Sequence, residues 1–247
     1  AISEDGSLFM QCCMILGKNI LVSGGTGSGK TTLLNLLCSS IPPGQRVLVI
    51  EDSSELQVDY EHVVMFETRQ ADREGKGEVT IKDLLKSALR LRPDRIIVGE
   101  VRASEAIELI NAMNTGHKGC MGTVHANSPE DAIVRMEALA QSGDAQMSEK
   151  ALRSQVSSAI DLIIQISRFS DGSRRIAAIS EVLGFSPDGT YKVVPIFQMS
   201  RMVKGKDGKL VGRLEPTGHV PSFMHEIADN NLPLPRSKFS KPSGQAA

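Results

Sequence analysis

The chain of 247 residues contains no tryptophan and two tyrosines. A single-stranded nucleic-acid platform built on base stacking is therefore not expected. Charge of one sign is missing too, since 28 lysines and arginines stand against 29 aspartates and glutamates. No global field draws the chain to nucleic acid or to an anionic bilayer, and no nucleic-acid partner is expected. No apolar run approaches the roughly 20 residues that span a bilayer, and the opening Ala1-Ile2-Ser3-Glu4-Asp5 is too acidic for the n-region of a signal peptide. The expectation is a cytoplasmic protein with no direct membrane insertion. The four cysteines, Cys12, Cys13, Cys38 and Cys120, show no CxxC spacing. They read as small apolar fillers in a reducing compartment, not as a disulfide or zinc framework.

What the sequence does have is a phosphate-binding signature. In Val22-Ser23-Gly24-Gly25-Thr26-Gly27-Ser28-Gly29-Lys30-Thr31-Thr32, an apolar strand over Ile20 to Val22 runs into a helix that starts near Thr31. Gly24, Gly29, Lys30 and Thr31 fit the Walker A spacing, in which backbone N–H groups curl around phosphates at a helix N-terminus. Gly25, Thr26, Gly27, Ser28, Gly29, Lys30, Thr31 and Thr32 are the candidate nucleotide-binding residues. Lys30 reaches the β- and γ-phosphates and the Thr31 hydroxyl ligates Mg²⁺, which makes ATP and Mg²⁺ the expected cofactors.

Around this junction apolar strands alternate with helical segments up to about residue 140, the pattern of an α/β fold with a mainly parallel sheet. Strands are expected at Arg46 to Ile50, Val63 to Glu67, Ile96 to Glu100 and Cys120 to Val124. Helices are expected over 7–16, with Leu8, Cys12, Ile15 and Leu16 on its packing face, over Thr80 to Arg92, with Leu84, Leu85, Ala88 and Leu91 buried, over Ser104 to Thr115, and from Pro129 with Ser128 as N-cap. Residues 68–78 have no apolar period and read as a mobile charged loop. Beyond residue 161, Asp171-Gly172, Asp188-Gly189 and Asp207-Gly208 separate β-rich runs, so an antiparallel meander is appended to the core. Residues 233–247 are rich in Pro, Ser and Lys and are expected to be disordered.

A bound triphosphate needs an acid, a γ-phosphate sensor and a neutralising cation. Glu51 and Glu100 each end an apolar strand, where ligands sit in open α/β sheets. Either acid is able to orient the attacking water, and because Gly99 takes the usual Walker B aspartate position, Glu100 acts on Mg²⁺ through water. His125 follows another strand end. Arg69, Arg73, Arg90, Arg92 and Arg102 lie in or beside loops assigned to the same edge.

The motifs Gly24 to Thr31, Ile50-Glu51-Asp52, Arg92 to Arg102 and Thr123 to Pro129 resemble the Walker A, Asp box, Walker B and His box of the type II/type IV secretion ATPase superfamily. Glu67-Thr68-Arg69 and Asn114-Thr115-Gly116-His117 are most similar to the CpaF (TadA-type) ATPases of tight-adherence pilus machines. The resemblance covers about residues 19–231 and implies a RecA-like P-loop NTPase core, a homo-hexameric ring, and an inner-membrane platform protein as partner. It assigns Lys30 and Thr31 to phosphate and Mg²⁺, Glu51 and Glu100 to water and metal, His125 to γ-phosphate sensing, and prefers Arg69, Arg90 and Arg92 as charge-neutralising residues. Family members carry a domain ahead of this core, so residues 1–18 are expected to be a linker helix from it and 19–232 the ATPase domain. A nucleic-acid translocase and a nucleotide-gated scaffold with little turnover are the competing classes.

Overall fold

Strand β1 (Ile20–Gly24) is buried along its whole length. In the computed structural model, which describes residues 2–143, 147–205 and 208–242, it lies inside a nine-stranded sheet. Its parallel neighbours are β5 (Met121–Val124) and β6 (Leu162–Arg168). Beyond β5 come β4 (Arg95–Val98), β2 (Val47–Glu51) and the edge strand β3 (Val63–Glu67), all parallel. On the other side β7 (Arg174–Phe185), β8 (Tyr191–Met199) and β11 (Leu214–Pro216) continue the sheet antiparallel, giving the order β11-β8-β7-β6-β1-β5-β4-β2-β3. Two short strands, β9 (Val203–Lys204) and β10 (Leu210–Val211), form a separate ribbon.

Successive strand residues face opposite layers. Ile20 and Val22 pack with α1 (Glu4–Leu16) and α2 (Lys30–Cys38), whereas Leu21, Leu48 and Ile50 pack with α3 (Ile81–Ala88), α4 (Glu105–Asn114), α5 (Pro129–Gln141) and α6 (Glu149–Ala159). A last short helix, α7 (Met224–Asp229), joins the α1 side through buried Ile227. Among the described residues no helix is long and apolar enough to cross a membrane.

The parallel core, the Ser128 cap of α5 and the Asp-Gly turns at 171–172 and 188–189 are as expected, with Gly172 and Gly189 at φ of +79° and +82°. Asp207 of the third pair lies outside the described residues. The expected antiparallel strands do extend the core, and β6 is the joint: it pairs parallel with β1 on one side and antiparallel with β7 on the other. Several expectations need correction. Helix α1 buries Phe9, Cys12, Cys13 and Met14, while Ile15 stays 46 % exposed. The cause is distant in sequence: the Phe9 ring packs 5.6 Å from Phe197, 6.1 Å from Phe223 and 5.7 Å from Phe239. Phe239 also overturns the disordered tail over 233–242, since a 3₁₀ turn at Arg236–Phe239 seats its ring fully buried and Lys238 pairs with Asp5 at 2.8 Å. Residues 243–247 lie outside the described ones. Helix α3 passes into a 3₁₀ turn at Leu89–Leu91, which rotates Leu91 out to solvent. Helix α6 was not expected, although Ser148 as N-cap and Leu152, Val156 and Ala159 at helical spacing announce it.

Candidate functional site

The turn between β1 and α2 has little room for side chains. A Cβ on Gly24 would stand 2.5 Å from the Ile166 carbonyl of β6 and from Ser28 Oγ, and Gly27 and Gly29 take φ of +67° and +99°, a region costly for other residues. The turn delivers Lys30 and Thr31 into the first turn of α2. Lys30 Nζ donates to the carbonyls of Gly24 (3.1 Å) and Gly25 (3.4 Å), and burial lowers its pKa. The Thr31 hydroxyl donates to Glu55 Oε2 at 3.3 Å. At the tip, Thr26 Oγ1 lies 3.5 Å from His125 Nε2.

Glu51, at the end of β2, is only 4 % exposed and accepts backbone N–H groups of Glu55 (3.2 Å) and Leu56 (3.1 Å). Desolvation raises its pKa, and those two hydrogen bonds only partly oppose the rise. Its side chain explains Gly99. A Cβ there would meet Glu51 Cγ at 2.8 Å and Oε1 at 3.2 Å, so the carboxylate of the neighbouring strand fills the space that a side chain at 99 would take. Glu100, the next residue, receives Arg102 Nη2 at 2.5 Å and Nε at 2.9 Å, and Arg102 Nη1 also approaches Asp52 Oδ2 at 3.4 Å. Thr123 Oγ1 donates to the Gly99 carbonyl at 2.7 Å and ties β5 to this corner.

These groups share one sheet edge. A cavity of about 730 Å³ is lined by Lys30, Thr31, Glu55, Glu100, Arg102 and His125 among others, and a smaller one of about 210 Å³ brings Glu51 and Asp52 beside Thr31, Glu55 and Glu100. Of the arginines, Arg69 stands on the same edge but beyond the outermost strand β3, with Nε donating to the Gly77 carbonyl at 2.6 Å and its backbone bridged to Val79. Arg90 and Arg92 do not share the edge. Helix α3 crosses back over the sheet, so both lie before the start of β4, at the opposite end from the phosphate turn. Three side chains were missed. Glu55 sits four residues past Glu51 in a loop without period, Arg135 lies on α5, and Arg174 follows the Asp171-Gly172 turn with its Nε donating to the Gly27 carbonyl at 2.7 Å. Only for Glu55 was there a local signal, a third acid three residues past the strand-end pair Glu51-Asp52.

A phosphate turn after a central parallel strand, with acids at the same ends of β2 and β4 in that sheet, defines a P-loop nucleotide-binding protein with a RecA-like core. The sequence profile described as Type II/IV secretion system protein matches residues 6–194, and the chain belongs to that family. A Mycobacterium tuberculosis protein named provisionally for conjugal transfer is 42 % identical over 181 residues, covering 73 % of this chain and 50 % of that one. The type IV secretion system protein VirB11 of Bartonella henselae is 38 % identical over 178 residues, covering 71 % of this chain and 49 % of that one. The crystal structure of the Brucella suis VirB11 ATPase in complex with sulphate superposes with a TM-score of 0.65 at 31 % identity, covering 72 % of this chain and 52 % of that one. The chain spans about half the length of the curated relatives it matches.

Proposed function

We propose that this chain is the ATP-hydrolysing core of a motor that powers pilus assembly or secretion at the cytoplasmic face of the inner membrane, in the tight-adherence (CpaF, TadA-type) branch of its family. The observation that supports it most is the gathering of Lys30, Thr31, Glu51, Glu55, Glu100 and His125 at one sheet edge. In this reading 19–232 is the motor core. Lys30 leaves the Gly24 and Gly25 carbonyls for the β- and γ-phosphates. The Thr31 hydroxyl and the Glu55 and Glu100 carboxylates are hard oxygen donors of the kind Mg²⁺ prefers, so the residues fit the ion. Bound Mg²⁺ neutralises charge that develops on phosphoryl oxygens.

Burial raises the proton affinity of Glu51, the direction that suits a group accepting a proton from water. Glu100, ion-paired with Arg102, orients the water from the other side, and His125 reads the γ-phosphate from beside Thr26. Arg90 and Arg92, at the far end of the sheet, serve only a neighbouring subunit's site, and Arg69 acts across the same boundary. A head-to-tail hexamer supplies that boundary, and a platform protein in the membrane receives the movement.

Steady-state ATP hydrolysis against protein concentration, for wild type beside Glu100→Gln, tests the reading. Specific activity should rise with concentration, and the variant should bind ATP without turning it over. ATP binding with no turnover by wild type at any concentration would overturn the motor and favour a nucleotide-gated scaffold.

A further inference from the structure

A strand buried on both faces is an aliphatic run, and β6 breaks that rule once. Between Ile164 and Ile166 stands Gln165, 4 % exposed, although Ile163 on the same face is packed into the layer of α3 to α6. Its Nε2 donates to the Ala126 carbonyl at 3.3 Å in a buried hydrogen bond. Ala126 follows β5, two strands away, and the register explains the reach: Val124 of β5, Ser23 of β1 and Gln165 of β6 form one row across the three strands. Registered residues share a face, so the amide extends across β1 on the side where Ser23 offers only a small side chain.

The Ala126 carbonyl also fixes which way the amide points, because only its NH₂ end donates. The other end, Oε1, is buried without a hydrogen-bond partner among the described residues, and so is Ser23 Oγ on the neighbouring strand. Unbonded buried polar atoms cost stability, and an apolar side chain at 165 would avoid that cost. What it would lose is the bond to Ala126. That bond ends one residue from His125, whose Nε2 stands 3.5 Å from Thr26 Oγ1 at the tip of the phosphate turn. Among the described residues this is the one hydrogen bond of the imidazole, so the backbone that carries the ring decides where it stands.

We infer that Gln165 is a positioning residue for the γ-phosphate contact, holding the Ala126 carbonyl and thereby setting His125 against the phosphate turn. The inference rests on His125 reading the γ-phosphate as proposed above. It brings β6, a strand with none of the sequence motifs, into the nucleotide site.

The test measures affinity for ADP and for a non-hydrolysable ATP analogue, each with Mg²⁺, in the full chain as wild type, Gln165→Met, His125→Ala and the double variant. Methionine keeps the length of glutamine and removes its donor. Each single variant should lower the ratio of analogue to ADP affinity by about tenfold, and the double variant should lower it no further, because both changes break one contact. Retained ADP binding reports an intact fold. A purely structural Gln165 would weaken both ligands alike and leave the ratio where it was. That result, or losses that multiply in the double variant, overturns the inference and leaves His125 as the γ-phosphate contact. A ratio unchanged by His125→Ala removes that contact, and the inference falls with it.

Discussion

Gly99→Ala adds one methyl group where the structure has placed a carboxylate side chain. The new Cβ would stand 2.8 Å from Glu51 Cγ, closer than real Cβ atoms come to a neighbour. Glu51 has little freedom to withdraw, being buried and held by the N–H groups of Glu55 and Leu56. Overpacking of this kind costs about 1–3 kcal/mol. At roughly 2–4 °C per kcal/mol for a chain of this size, the midpoint of thermal unfolding should fall by roughly 2–12 °C. The functional loss should be larger. With Glu51 in its proposed role on the attacking water, a shift of about 1 Å lowers turnover on the order of a hundredfold, so ATP hydrolysis at saturating nucleotide should drop to about a hundredth while ATP binding persists. Gly25→Ala is the control, because nothing lies within 4 Å of its added Cβ and its unfolding midpoint should not move. A Gly99→Ala protein with wild-type melting and wild-type turnover would refute the argument that Glu51 fills the position beside Gly99.

Three further outcomes are expected. Burial raises the Glu51 pKa above its ordinary 4.5, so its favourable contribution is complete below about pH 4.5 and is lost as pH rises through the raised folded value. Glu51→Gln should accordingly melt higher than wild type near pH 7, with a gain that shrinks towards zero in acid, and an equal gain at both ends of a thermal-melt pH series would contradict this. Phe239→Ala removes a fully buried ring from the Phe9, Phe197 and Phe239 cluster and should cost about 3–5 kcal/mol in urea unfolding, whereas an undocked tail would lose nothing. Arg95→Ala deletes a buried hydrogen bond to the Met14 carbonyl and a partly buried one to Gln45 Oε1, both at 2.7 Å, and should lower urea-unfolding stability by about 2–3 kcal/mol.

Local rules made much of this molecule legible. Parallel strands buried on both faces are runs of Val, Ile and Leu, and the phosphate turn is a fixed spacing of glycines before a helix, so β1, β2, β4 and α2 stand out without any tertiary knowledge. The failures share a cause, which is contact between residues far apart in the chain. Nothing near Phe9 announces Phe239, and a tail of Pro, Ser and Lys hides the one aromatic that docks it. Arg90 and Arg92 looked close to the phosphates because they precede the Glu100 motif in sequence, yet a strand's length separates its two ends. Arg174 enters from a hairpin more than a hundred residues away, and Gly99 looks like a defective motif position until Glu51 of the next strand is seen beside it.

The double pairing of β6 has a mechanical consequence. With the phosphate-turn strand bonded to it on one side and β7 on the other, the C-terminal strands are cantilevered from the same plate that carries the glycine-rich turn. From β8 and β11 an unbroken series of paired strands leads back to β1, bent by register shifts in the β6–β7 and β7–β8 pairings.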